Sequence, residues 1–249
     1  MRFIKQFISN KIKQEAKYLL LNILKIPYSR SALPLEILKW LPNNKPITFF
    51  DIGANTGNFS ESIRGEYQVE KGILVEPTPG LIPVLEKRFA DRLVYKIINA
   101  AVSDDNGQTD FYLNNDFDVV SSLLKIRNNG DELKHLNIKT PVATKIKAFT
   151  LNSICNEQQL KSVDLIKIDV QGAEHMVLKG GLETLKKTRL VFTEFSYRPL
   201  YEQSSTFFDL YKIFTDNNFM LINMGNGYTS LNGELLQGDA LFINKNMVN

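Results

Sequence analysis

The segment Phe49-Phe50-Asp51-Ile52-Gly53-Ala54-Asn55-Thr56-Gly57 constrains this chain more than any other. A short apolar strand, Ile47 to Phe50, ends at an acid, turns through two glycines and opens a helix over Asn58 to Arg64. Gly53 and Gly57 permit tight turning and let a ligand touch the backbone. A second apolar strand, Gly72 to Val75, ends at Glu76, 19 residues beyond Gly57. A carboxylate at that tip can accept hydrogen bonds from both hydroxyls of a ribose. Strand, glycine turn, helix, strand and acid together predict a nucleotide-type ligand.

Two such ligands compete for the loop. A dinucleotide brings an anionic pyrophosphate, which needs bare backbone amides at a helix N-terminus. Here Asp51 opens the loop, and the G-x-G-x-x-G spacing is absent. A carboxylate in that place repels phosphate but suits a ligand carrying an ammonium and a sulfonium. S-adenosylmethionine is such a ligand, and NAD is not. The plainer alternative is a turn in which Asp51 and Asn55 only cap the helix; Glu76 in its place tips the balance toward binding.

The rest of the chain keeps the same rhythm. Leu81 to Phe89 and Glu174 to Lys187 read as helices, with strands at Leu93 to Ile98, Leu165 to Val170 and Leu190 to Phe195. A helix over Phe207 to Asn217 precedes a hairpin of Phe219 to Met224 with Ala240 to Asn244. Alternation of this kind predicts an α/β fold: a doubly wound, mostly parallel sheet with an antiparallel C-terminal hairpin strand. The interval 103–163 breaks the rhythm. It holds two strand signals, Thr109 to Leu113 and Val142 to Ala148, around a polar stretch rich in Asn and Asp. An insertion there can form a substrate cover, or be a tolerated surface excursion.

Charge is distributed unevenly. Residues 1–25 hold six basic groups against Glu15 alone, a net +5, which leaves −2 for the remaining 224 residues of the 249. Ile4, Ile8, Ile12, Ala16, Leu19 and Ile23 form one apolar stripe at helical spacing. The expected division is a basic amphipathic helical arm and linker over 1–46 and a catalytic domain over 47–249. The arm either docks on the body with its lysines in water, the reading that leads, or contacts an anionic membrane surface. No small-residue cleavage site follows the arm, and no apolar run reaches the ~20 residues of a membrane span. Cys155 is the one cysteine, so disulfides and cysteine-based zinc sites are excluded. A cytoplasmic protein, with peripheral contact at the inner membrane surface as an open alternative, is the corresponding expectation.

Two further segments carry chemistry. Asn99-Ala100-Ala101-Val102-Ser103-Asp104 follows the third strand, and its small residues leave room for a flat base. In Asp164-Leu165-Ile166-Lys167-Ile168-Asp169-Val170-Gln171-Gly172-Ala173-Glu174, Lys167 and Asp169 share one strand face. Asp169 sits at the carboxyl end, where open parallel sheets bind ligands. His175, Glu174 and Glu194 are placed to converge there.

With these pieces in order, the sequence resembles the FkbM family of S-adenosylmethionine-dependent methyltransferases. The matching pieces are Phe50 to Gly57, Val75-Glu76-Pro77, Asn99 to Asp104, Ser121-Ser122-Leu123, Lys167 to Glu174, and Glu194 at the end of the next strand. Gln171 departs from the acid the family usually shows. The resemblance covers about residues 47 to 200. It implies a Rossmann-like class I methyltransferase fold and methyl transfer to an oxygen, often a sugar or polyketide hydroxyl. Cofactor contacts are then expected at Asp51, Gly53, Asn55, Gly57, Glu76, Asn99, Ala100 and Ala101. Asp169 and His175 are the candidate bases for the acceptor proton, and Glu174 is expected to orient a partner or cap its helix. The spacing does not demand a metal.

Phe117, Arg127, Tyr197, Arg198 and Tyr201 are acceptor contacts by position alone, while His135 reads as solvated. Lys167, unusual in a central strand, is expected to pair with Asp169. An RNA ribose methyltransferase is the chief alternative activity, but the body's −2 lacks the basic face that nucleic acid requires. A non-catalytic module of the same fold is the other, and the intact loop with Glu76 speaks against it.

Overall fold

The computed structural model describes residues 33, 35–41, 44–90, 93–113, 121–127, 142–199, 201–225, 227–229 and 233–248. The expected arm over residues 1–25 lies outside the described residues, as do Phe117 and His135. In chain order the elements are α1 (Leu35–Trp40), β1 (Ile47–Ile52), α2 (Asn58–Glu66), β2 (Val69–Val75), α3 (Ile82–Phe89), β3 (Tyr95–Ile98), β4 (Ala101–Ser103), β5 (Gly107–Leu113) and β6 (Val142–Thr150). They continue with α4 (Leu151–Glu157), β7 (Val163–Ile168), α5 (Glu174–Lys179), α6 (Leu182–Lys186), β8 (Thr188–Ser196), α7 (Phe207–Asp216), β9 (Phe219–Met224), β10 (Tyr228–Thr229) and β11 (Leu235–Asn244).

Both β1 and β7 are buried at every position, which is why they read as continuous apolar runs rather than alternating ones. They lie at the centre of a sheet ordered β10-β11-β8-β7-β1-β2-β3, with β9 also paired to β11. The pairs β8-β7-β1-β2-β3 are parallel, and β11 is antiparallel to both β8 and β9. The expected C-terminal hairpin is present, with β11 inserted between β8 and β9. Period two then sorts the side chains. Phe50, Ile52, Ile166, Val191 and Phe242 face one apolar cluster. Phe49, Leu74, Leu165, Leu190, Leu241 and Ile243 face the other, together with Leu33 and Ile37 of the α1 region. The second face continues at the strand tips into Asp51, Lys167, Asp169, Glu194 and Asp239, each an even step beyond a buried apolar residue of its own strand.

Three expectations on elements need correction. The helix expected over Glu174 to Lys187 is two, α5 and α6, broken at Gly180-Gly181. Gly180 packs on the Ser103 backbone, where a Cβ would overlap the carbonyl oxygen. The third strand starts at Tyr95, and Leu93 is fully exposed. Within the interval 103–163, β5 and β6 are strands as expected, but they join β4 in a separate sheet ordered β4-β6-β5. Thus Ala101–Ser103, to which no element was assigned from sequence, leaves the main sheet and starts the second one. The helix α4, which the sequence reading did not assign, follows β6 with Thr150 as its N-cap: the Thr150 hydroxyl accepts from the Ser153 amide.

Candidate active site

The glycine turn is built by three backbone constraints. The amides of Gly53 and Ala54 donate to the Val75 carbonyl at 3.0 and 3.1 Å, and the Asp169 amide donates to Ile52 at 3.1 Å. Gly53 has φ 73° and sits so close to the Asp169 carbonyl that any Cβ would overlap it. Asn55 is also left-handed, with φ 49°, a conformation Asn tolerates better than most residues. Its amide donates to Glu76 Oε2 at 2.7 Å, while the Thr78 amide donates to Glu76 Oε1 at 2.8 Å. Burial raises the Glu76 pKa; the two amides and Lys167 act in the opposite direction. Each carboxylate oxygen keeps a lone pair for a further donor.

These elements enclose a cleft of about 410 Å³ at the carboxyl ends of the parallel strands. Gly53, Ala54, Asn55 and Glu76 line it beside Ala100, Ala101 and Val102. Phe111, Ser121 and Leu123 reach it from the second sheet and the segment after it, so the interval 103–163 does supply cleft residues. That segment is fastened to the site: Ser122 Oγ donates to the Gln171 carbonyl at 2.7 Å, and the Glu202 amide donates to Lys125 at 2.7 Å.

Asp51 does not line the cleft. It is fully buried beneath the turn, where Oδ2 accepts from Ser60 Oγ at 2.6 Å and Oδ1 lies 3.4 Å from Lys167 Nζ. Its charge acts on the loop from below rather than by touching a ligand's ammonium. Lys167 also donates to the Gly53 carbonyl at 2.7 Å and lies 3.4 Å from Asp169 Oδ2. Burial would lower its pKa, but Asp169 and Asp51 outweigh that and raise it, so the ammonium stays charged. The expected Lys167–Asp169 pair is therefore half of a larger arrangement.

Of the candidate bases, Asp169 lines the cleft and His175 does not. His175 faces Lys179, Asp104 and Asp209; burial, then Lys179, lower its pKa. Glu174 is buried away from the cleft, and its Oε1 accepts from the amides of Val170 and Gly172 at 3.2 and 3.1 Å. It ties down the turn before α5 rather than capping the helix itself, whose N-cap Ala173 has no side-chain cap. Gly57 holds the N-cap of α2 with φ 81°. Asn99 donates to the carbonyls of Glu76 and Pro77 at 2.9 and 3.2 Å, which fixes the β2 and β3 tips. Neither Gly57 nor Asn99 lines the cleft. Arg127, Tyr197, Arg198 and Tyr201 do not line it either.

The sequence reading missed Phe59, Phe192 and Asp239, all in the lining. Phe59 and Phe192 stack at 6.1 Å with their planes 6° apart. Asp239 lies opposite Glu194 in the β11–β8 register. Period-two alternation with Leu241 and Ile243 could have placed it on this face. Gln171 also has a role: its Nε2 donates to Asp169 Oδ1 at 2.9 Å and Glu194 Oε2 at 3.1 Å, while Tyr201 Oη donates to its Oε1 at 3.2 Å. Gln171 thus occupies the space between two carboxylates, with φ 56°. Burial, then Asp169, raise the pKa of Glu194 well above the usual range.

A sheet with this strand order, bearing an acid-tipped β2 and a glycine turn beneath which a lysine is buried, defines a class I S-adenosylmethionine-dependent methyltransferase. The family model described as the methyltransferase FkbM domain matches residues 51–221. The chain belongs to that family. It is 29% identical over 207 residues to the 2-O-methyltransferase NoeI of Sinorhizobium fredii, which covers 81% of this chain and 84% of NoeI. It is 29% identical over 161 residues to the methyltransferase sdnD of Sordaria araneosa, covering 56% of this chain and 61% of that one. A solved FkbM methyltransferase from Methylobacillus flagellatus shares the fold at a TM-score of 0.50 and 13% identity; the match spans 80% of this chain and 43% of that longer one. Among the described residues, no helix is long and apolar enough to cross a membrane.

Proposed function

We propose that this enzyme transfers the methyl group of S-adenosylmethionine to a hydroxyl oxygen of a saccharide or glycan, with polysaccharide biosynthesis as its setting. The observation that carries the acceptor class is one part of the cleft's lining. There Phe59 and Phe192 form an aromatic wall beside Asp169 and Asp239. An apolar ring takes the C–H face of a sugar, and carboxylates accept from its hydroxyls. Among the described lining residues Lys167 is the one Lys or Arg, and Asp51, Asp169 and Gly53 already hold it. An acceptor with phosphates is therefore disfavoured, and RNA with it.

The residues fit the cofactor. Glu76 is placed to accept from the ribose hydroxyls, Ala100 and Ala101 leave space for the adenine, and Gly53 and Asn55 shape the turn against the methionine portion. When bound, S-adenosylmethionine supplies an electrophilic methyl carbon on sulfur, whose C–S bond breaks with its electron pair passing to sulfur. The chain's contribution is to hold the acceptor oxygen in line behind that carbon and to remove its proton. The relative NoeI is named for 2-O-methylation, which supports an oxygen acceptor here.

Transfer of labelled methyl from S-adenosylmethionine to a neutral oligosaccharide fraction of cell extract, with mass spectrometry of the product, tests the reading. Label appearing in RNA instead would overturn it. For residues 1–25 we retain the expectation of a basic arm on a cytoplasmic enzyme. Co-sedimentation of the full chain with anionic vesicles, compared with a chain lacking 1–25, separates membrane contact from docking.

A further inference from the structure

Three carboxylates line the cleft, Glu76, Asp169 and Asp239, and their surroundings differ in a way that decides which can accept a proton. Glu76 is held by two backbone amides at 2.7 and 2.8 Å. Asp169 is held by the Gln171 amide at 2.9 Å and faces Lys167 at 3.4 Å. Both carboxylates thus already accept from donors of the chain, and Asp169 also faces a cation. Asp239 has neither: among the described residues no hydrogen-bond donor or cation is bonded to its carboxylate. Its backbone is nonetheless fixed, since its carbonyl accepts from the Gly225 amide at 2.7 Å.

The location of Asp239 is equally specific. In the antiparallel register it opposes Glu194, and the neighbouring Leu241 opposes Phe192. Asp239 therefore stands diagonally beside the Phe192 ring, on the same sheet face as the Phe59–Phe192 stack. A sugar laid on that wall would present its ring hydroxyls to this carboxylate. We propose that Asp239 is the general base that takes the proton from the acceptor hydroxyl. This rests on the reading of the site as a hydroxyl methyltransferase, and it concerns a residue beyond the 51–221 segment matched by the family.

The step balances without any other reactant. The acceptor oxygen forms the new C–O bond as the C–S bond breaks onto sulfur. The hydroxyl proton passes to Asp239 and then to water. Three charged groups face Asp239: Glu194 on the adjacent β8, and Lys167 and Asp169 at the end of β7, one strand further along the sheet. Burial first, then Asp169, raise its pKa to about 6, with Lys167 opposing. A base of that strength is ionised at neutral pH yet more basic than an exposed aspartate.

The test compares the wild type with D239N and D239E, using labelled S-adenosylmethionine and the neutral oligosaccharide fraction. D239N is expected to lower kcat by about 10²–10³-fold while S-adenosylmethionine affinity by calorimetry stays within two-fold. The acid limb of the wild-type pH–rate profile, with its midpoint near 6, should vanish from the residual D239N activity. D239E keeps a carboxylate and should recover part of kcat, which a folding defect would not produce. In the cofactor-free protein, carbon-detected carboxyl NMR should show a resonance titrating near pH 6 that D239N lacks. Wild-type transfer together with D239N turnover within three-fold of it, or an acid limb persisting in D239N, would overturn the assignment alone. No transfer by the wild type to any hydroxyl would instead overturn the reading on which it rests.

Discussion

Lys167 Nζ lies 3.4 Å from Asp51 Oδ1, and Asp51 has no exposed surface. The two residues are 116 positions apart, yet β1 and β7 are neighbours and place them directly opposite each other. Each strand tip carries a charge that would be costly to bury alone. Together, and with the Gly53 carbonyl and Asp169, they form a closed set that supports the glycine turn from beneath. Lys167→Met should therefore destabilise the protein by about 3–5 kcal/mol, because it leaves Asp51 buried and uncompensated. Urea unfolding followed by circular dichroism measures this. A loss below about 1 kcal/mol would mean that Asp51 is neutralised by other means.

The Gly53 position tests the turn more locally. Its φ of 73° and its contact with the Asp169 carbonyl leave no room for a side chain. In Gly53→Ala the left-handed conformation alone costs about 1–2 kcal/mol. Relieving the overlap must also push β7's tip away from β1. S-adenosylmethionine affinity is expected to fall more than ten-fold by calorimetry. An alanine variant that binds the cofactor normally would refute the placement of the turn.

Glu76 offers a different contrast, because both of its oxygens accept from backbone amides. In Glu76→Gln the amide must present its NH₂ to either Asn55 or Thr78, each of which is itself a donor. The loss of one charge-assisted hydrogen bond is about 1.5–3 kcal/mol. Part of this should appear as lower stability in thermal unfolding, and part as roughly ten-fold weaker cofactor binding, since about 1.4 kcal/mol corresponds to ten-fold. Unchanged affinity would remove Glu76 from the ribose site.

The centre of the main sheet was legible because β1, β2 and β7 are short, apolar and followed by helical spacing. The cleft wall formed by Gly53, Asn55 and Glu76 was legible too, because the turn and Glu76 are close in sequence. The partners of Asp51 were not legible. A carboxylate at a strand tip can face a ligand or lie under the turn, and only the tertiary pairing with Lys167 decides between them. Likewise β4 carries the same small apolar residues whether it is a loop or the first strand of a second sheet. Its pairing with β6 begins at Ala101 opposite Ala148, 47 residues on. That Asp239 lines the cleft and His175 does not was hidden for a related reason. The histidine's neighbourhood on α5 follows from helix rotation, whereas Asp239 reaches the cleft only because β11 inserts antiparallel beside β8.

Glu174 provides a prediction about pH. It is buried and carries two backbone amide donors on one oxygen. Burial, with Asp169 adding to it and the amides opposing, raises its pKa to about 7. An unfolded glutamate titrates near 4.3. Between these values the folded chain holds a proton that the unfolded chain has lost, so stability falls as pH rises through the window. The loss is complete about one unit above pH 7 and amounts to about 3–4 kcal/mol. Glu174→Gln keeps an amide oxygen for the Val170 and Gly172 donors but cannot ionise. It should therefore match the wild type near pH 4, already exceed it slightly near pH 5, and exceed it near pH 8 by up to about 3–4 kcal/mol. Glu174 also adds to the upward shift of Glu194, so the difference between the two unfolding curves includes the relief of that repulsion, which has the same sign. Equal differences at pH 5 and pH 8 in urea titrations would show that Glu174 is ionised in the folded chain throughout.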